Sequence, residues 1–137
     1  MKMSADFLSD RAELTKIEPF TADFAAAAGV PDKDLFALQI VVEELVTNVI
    51  DYGGVPAGQP AARVELEVAD GVLTMVITDS GREYNPLLRE DPDVTLSAED
   101  RPIGGLGVHF CKKLTETQSY ARTAGKNVLT LTRKLSA

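Results

Sequence analysis

The sequence predicts an α+β fold, and three observations predict it. Helical periodicity is confined to two long stretches and one short one. Two hairpin patterns, each built around a glycine-containing turn, occupy separate parts of the chain. No repeat, low-complexity tract or internal boundary divides the 137 residues. A chain of this length is expected to be one domain, 1–137, burying roughly two thirds of its unfolded surface. Hydrophobic residues make up 45% and charged residues 26%, which argues against disorder and against a fibrous repeat.

In chain order, a short strand fits Lys2 to Leu8. From Asp10 the apolar positions Leu14, Ile17, Phe20, Phe24 and Ala28 recur with a helical period until Gly29 and Pro31 stop it, so a first helix is expected there. Pro31-Asp32 restarts the chain with an acidic first turn that suits the helix dipole. Leu35, Leu38, Val41, Val42, Leu45 and Val49 then carry an apolar stripe as far as Gly53-Gly54. After a loop over 55–60, the alternation from Arg63 to Val68, the turn Asp70-Gly71 and the apolar run Val72–Ile77 read as a hairpin. Residues 79–103 hold Pro86, Pro92 and Pro102, many acids and little periodicity, so the longest connection falls here. A short helix from about Leu106 to Leu114 follows. A second hairpin, Ser119–Thr123 and Asn127–Leu135 around Ala124-Gly125-Lys126, completes the chain.

Charge and composition exclude several function classes. With 14 basic against 21 acidic residues the net charge is -7, the wrong sign for a nucleic-acid surface. Apolar runs stop well short of the roughly 18 residues a membrane span needs, and the N-terminus lacks a signal peptide's apolar core. No nucleic-acid or membrane partner is expected, and the expected location is cytoplasmic. Cys111 is the only cysteine, so neither an intramolecular disulfide nor a multi-cysteine metal site can form, and it reads as a small buried hydrophobe.

The second helix carries the clearest chemical signal. Glu44 and Asn48 stand four apart among Val and Leu, hence on one helix face. A buried acid and a buried amide each cost free energy unless partnered, and a ligand would be such a partner. A helix border where both reach water is the plain alternative. A carboxylate able to accept a proton, beside an amide oxygen able to coordinate Mg2+, suits a metal-nucleotide site. Asp79 closes the strand from Val72, and Gly81 follows it. That carboxylate can accept a hydrogen bond from an exocyclic amine, and the glycine lets backbone approach a ligand. Taken alone, Asp-x-Gly also reads as a turn. Gly104-Gly105-Leu106-Gly107 opens a helix whose free N–H groups favour phosphate oxygens, although glycines serve equally as hinges.

Taken in order, these three segments resemble the N, G1 and G2 boxes of the GHKL ATPase superfamily of gyrase, heat-shock chaperone, histidine kinase and mismatch-repair ATPases. The resemblance covers nearly the whole chain. Within the superfamily it points to the stand-alone anti-sigma factor serine kinases, through Glu-Leu-Val-Thr-Asn at 44–48, Tyr-Asn-Pro at 84–86, Gly-Gly-Leu-Gly at 104–107 and the ending 125–132. It implies a two-layer α+β sandwich, a mixed, mainly antiparallel sheet covered on one face by helices. It further implies ATP and Mg2+ as cofactors. Glu44 would be the catalytic acceptor of a protein hydroxyl's proton, and Asn48 the Mg2+ ligand. Asp79 would read the adenine amine with Gly81 behind it, and Gly104, Gly105 and Gly107 would wrap the phosphates. The stretch Leu87–Ile103 would be an ATP lid. Implied partners are a small anti-sigma-antagonist protein of the STAS type and, as a further candidate, a sigma factor. A homodimer is a further assembly that such relatives form.

Departures from the pattern accompany the match. Tyr52 stands where many relatives have histidine, Asn127 near a threonine position beside the adenine site, and Glu116 where aspartate is frequent. His109 reads as a helix-surface residue, and Arg82, Arg89, Arg101 and Arg122 are undifferentiated candidates to meet phosphate charge. The competing function is a non-catalytic, nucleotide-dependent binding module that switches partners; the retained Glu44 argues against it. A bare structural domain is the third reading.

Overall fold

The computed structural model describes residues 1–88 and 105–136, with the backbone alone for 105–107. In Val72–Asp79 the residues Leu73, Met75 and Ile77 alternate with partly exposed neighbours, the period of two that makes a half-buried strand. Five such strands form one sheet: β1 (Lys2–Leu8), β2 (Pro60–Ala69), β3 (Val72–Asp79), β4 (Thr117–Thr123) and β5 (Lys126–Lys134), in the order β1-β2-β3-β5-β4. The sheet expected to be mixed and mainly antiparallel is antiparallel at every pairing among the described residues. Asp70 and Gly71, with φ of 53° and 75°, and Ala124 and Gly125, with 51° and 77°, both adopt the left-handed backbone a two-residue hairpin loop requires. The second hairpin begins two residues earlier than expected, because Thr117 and Gln118 pair with Thr132 and Leu131 although their polar pattern gives no strand signal.

The helices are α1 (Ile17–Ala28), α2 (Asp32–Tyr52) and α3 (Gly105–Leu114). The single first helix expected from Asp10 is instead a 3-10 turn over Arg11–Lys16 followed by α1. Pro19 gives the reason. It has no N–H for the carbonyl of Thr15 and its ring would clash there, so an α-helix accepts it only in the first turn. Asp10 caps the 3-10 turn by accepting from the Ala12 N–H at 2.9 Å.

α2 buries Ala37, Leu38, Val41, Val42, Leu45 and Val46. These meet Val64, Leu66, Leu73, Met75, Ile77, Leu129 and Leu131 from the sheet and Phe24 from α1 in one core. The sheet therefore has its helices on one face, the α+β sandwich expected. At the start of α2, Asp34 is fully buried and accepts from Arg133 Nε on β5 at 2.8 Å and from the Ser136 N–H at 2.9 Å. Burial pushes its carboxyl upward, but the bonds from Ser136 and Arg133 outweigh that and hold its pKa below the ordinary aspartate value. No helix among the described residues is long and apolar enough to cross a membrane.

Candidate functional site

The register of β3 against β5 sets Asp79 opposite Asn127 and Ile77 opposite Leu129. Above them, Leu45, Asn48, Val49 and Tyr52 recur at the spacing of one helix face along α2. Between these elements lies a cavity of about 340 Å³, lined by those eight residues and by Gly53, Arg82, Tyr84, Pro86 and Tyr120. That volume, at the lower end for ligand pockets, suits a nucleobase within a mostly apolar enclosure. All three tyrosines of the chain line it.

At the end of β3, Asp79 Oδ1 accepts from the Gly81 N–H at 2.8 Å and from Asn127 Nδ2 at 3.0 Å. Among the described residues nothing donates to Oδ2, so one carboxylate oxygen keeps its full accepting capacity. Gly81 sits against the end of α2: a Cβ there would lie 3.0 Å from both Asp79 Oδ1 and Gly53 Cα. The Arg82 N–H donates to Gly53 O at 2.9 Å, locking the segment after β3 to the helix terminus. Asn127, 5% exposed, is the centre of this corner. Its Nδ2 also donates to Arg82 O at 2.7 Å, while its Oδ1 accepts from the Tyr84 N–H at 3.3 Å, from Arg122 Nη1 at 3.1 Å and from the Tyr120 hydroxyl.

From the cavity wall, Asn48 Nδ2 donates to Glu44 Oε1, one turn back along α2, at 3.2 Å. The two side chains meet as their spacing implied, and Asn48 lines the cavity while Glu44 stands beside it rather than in its lining. Burial raises the Glu44 pKa above the ordinary glutamate value; the Asn48 bond opposes this and the neighbouring Glu43 charge reinforces it. α3 packs alongside, with Cys111 Sγ 4.0 Å from Val41 O. Its thiol is pushed up to about 12, chiefly by burial and then by the Glu44 charge, which fits the buried hydrophobe expected. No cluster of three or more His, Cys, Asp or Glu side chains suited to a metal occurs among the described residues. Asn48 Oδ1, the oxygen expected to meet Mg2+, accepts no hydrogen bond among the described residues. A single amide oxygen fits an ion that takes one or two protein oxygens and completes its shell with phosphate and water.

Of the residues singled out in the sequence, the structure thus brings Asn48 and Asp79 to one cavity, with Glu44 and Gly81 each one contact away. Gly105 and Gly107 lie in the first turn of α3, whereas Gly104 and, of the stretch Leu87–Ile103 expected as a lid, residues 89–103 with Arg89 and Arg101 fall outside the described residues; Leu87 and Leu88 belong to a 3-10 turn over Pro86–Leu88. Arg82 and Tyr52 line the cavity, and Arg122 Nη1 donates to Gly81 O at 3.0 Å. His109 is half-buried on α3, and Glu116 is exposed away from this corner. Asn127 counted in the sequence only as a departure, and Tyr84 only as part of a motif. The pairing of β3 with β5 sets Asn127 opposite Asp79, whereas Tyr84, in the loop after β3, carries no such signal.

A family profile described as the histidine kinase-like ATPase domain matches residues 7–133. Over 97 residues, 71% of this chain and 68% of the relative, the chain is 28% identical to the serine/threonine-protein kinase BtrW of Bordetella bronchiseptica. It is 26% identical over 106 residues, 77% of this chain and 74% of the relative, to the anti-sigma F factor of Clostridium botulinum. In fold it is similar to the RsbU and RsbW domain structure from Mycobacterium tuberculosis, with a TM-score of 0.73 at 16% identity. That match covers all of this chain but only 33% of the longer one. A second similar fold occurs in the SiaB-SiaC complex of Pseudomonas aeruginosa, with a TM-score of 0.60 at 14% identity over 96% of this chain and 88% of that one.

Proposed function

The chain belongs to the histidine kinase-like ATPase domain family, and from that premise we propose that it is an ATP-dependent serine/threonine protein kinase of the anti-sigma factor type. Its substrate is a small STAS-type antagonist protein in the cytoplasm, which it exchanges for a second partner such as a sigma factor. The names of the two sequence relatives support the class. The observation that carries the reading is the convergence of Asp79 and Asn48 on one cavity, with Glu44 bonded to Asn48.

In this reading Asp79 accepts the adenine amine through Oδ2, and Gly81 admits the base by bringing only backbone to that edge. Gly104, Gly105 and Gly107 present N–H groups to the phosphates. Asn48 Oδ1 holds Mg2+, which when bound supplies neutralisation of phosphate charge. Glu44 takes the proton from the acceptor hydroxyl as that oxygen bonds to the γ-phosphorus and the bond to the departing ADP breaks. A carboxylate whose affinity for a proton is raised by burial is the better base for this.

The test is intact-mass spectrometry of the antagonist after incubation with the protein and Mg-ATP. A gain of about 80 Da, one HPO3 group, that disappears with Glu44→Ala is expected. A stable complex without mass gain would instead favour the non-catalytic partner switch.

A further inference from the structure

Asn127 has a hydrogen-bonding inventory that is entirely consumed within the protein. An amide carries two N–H donors and one acceptor oxygen. Here the two donors go to Asp79 Oδ1 and Arg82 O. The oxygen takes the Tyr84 N–H, Arg122 Nη1 and the Tyr120 hydroxyl. The amide orientation follows from this chemistry, since two acceptors stand on one side and three donors on the other. A side chain so saturated, and 5% exposed, has nothing left to offer a ligand.

We propose that Asn127 is the positioning residue of the base subsite, holding Asp79 so that Oδ2 alone accepts from a purine's 6-amino group. The Gly81 N–H and Asn127 Nδ2 together occupy Oδ1, which fixes the carboxylate's rotation. The same amide tethers the Tyr84 backbone and the Tyr120 ring, two of the three tyrosines that line the cavity. Selectivity follows from the pairing: an acceptor oxygen fixed at one point accepts from a 6-amino group and repels a 6-oxo oxygen. The inference rests on the proposed nucleotide site and adds to it the residue that sets its discrimination.

The test compares ADP with inosine diphosphate, which differ at the 6-position, by calorimetry on the wild type, Asn127→Asp and Asn127→Ser. Asn127→Asp keeps the shape but removes both donors and sets a second carboxylate against Asp79; Asn127→Ser is too short to reach Asp79 and Arg82 together. The wild type is expected to prefer ADP by tenfold or more, and each folded variant to discriminate by less than about threefold. A merely structural role would weaken both ligands alike and leave the ratio intact, and that result overturns the inference. A wild type that binds neither nucleotide overturns the nucleotide site itself, a distinct outcome. Should neither variant fold, the wild type still decides. Both Asn127 side-chain N–H protons are expected to exchange slowly with solvent with and without ADP, and rapid exchange of either in the complex contradicts the assignment.

Discussion

At Glu44, stability and chemistry pull in opposite directions. Burial, reinforced by the Glu43 charge and opposed by the Asn48 bond, raises its pKa, so folding favours the protonated carboxyl. Its contribution to stability is full at low pH and is lost as pH rises through the folded value. We therefore expect Glu44→Gln to keep or raise the melting temperature at pH 7. The same substitution is expected to cut phosphoryl transfer by about 10²–10⁴-fold, with ATP affinity little changed. In the wild type the acid limb of the rate profile is expected above the pH of an ordinary glutamate, because the base must be ionised to act. At Gly81, an added methyl would press on Gly53 Cα and Asp79 Oδ1, both at 3.0 Å. Gly81→Ala is expected to weaken ATP binding by roughly tenfold or more in calorimetry, since backbone rather than a flexible side chain must give way.

Among the elements, α2 matters most, because one helix supplies Glu44, Asn48 and the apolar stripe that seats them. Its N-terminal anchor is the buried pair of Asp34 and Arg133, 2.8 Å apart. Asp34→Asn would leave Arg133 charged, largely buried and uncompensated, at a cost of about 3 kcal/mol in urea unfolding at pH 7. Because the Asp34 pKa is lowered on folding, its contribution is present above the ordinary aspartate range and fades as pH falls through and below it. The variant should therefore lose part of the wild type's sensitivity to acid. The helices and hairpins were legible in the sequence because their signals are local: periodicity along α2, a glycine after α1, Asp70-Gly71 between β2 and β3. Where the apolar period ran on through Arg11–Lys16, Pro19 overrode it. The Asp34 anchor was not legible, since an acid in a first turn reads as a dipole partner until Arg133, distant in sequence, is brought against it.

For the molecule as a whole, the site exists only where β3, β5 and the end of α2 meet. The contact of Glu44 with Asn48 and the turn at Asp79 and Gly81 could be read from residue types and spacing. The role of Asn127 could not, because it depends on the register that sets it opposite Asp79. A cavity walled by all three tyrosines of a chain without tryptophan also gives the protein its own optical reporter, and ATP is expected to change its tyrosine emission saturably. The most direct test of the nucleotide site is the thermal unfolding of wild type, Asn48→Ala and Asp79→Ala with and without Mg-ATP. At about one hundred times the dissociation constant, the wild type should gain roughly 2.7 kcal/mol, and both variants should lose most of that gain. A wild type indifferent to Mg-ATP, or an Asp79→Ala protein stabilised as much as the wild type, would contradict the assignment of this cavity.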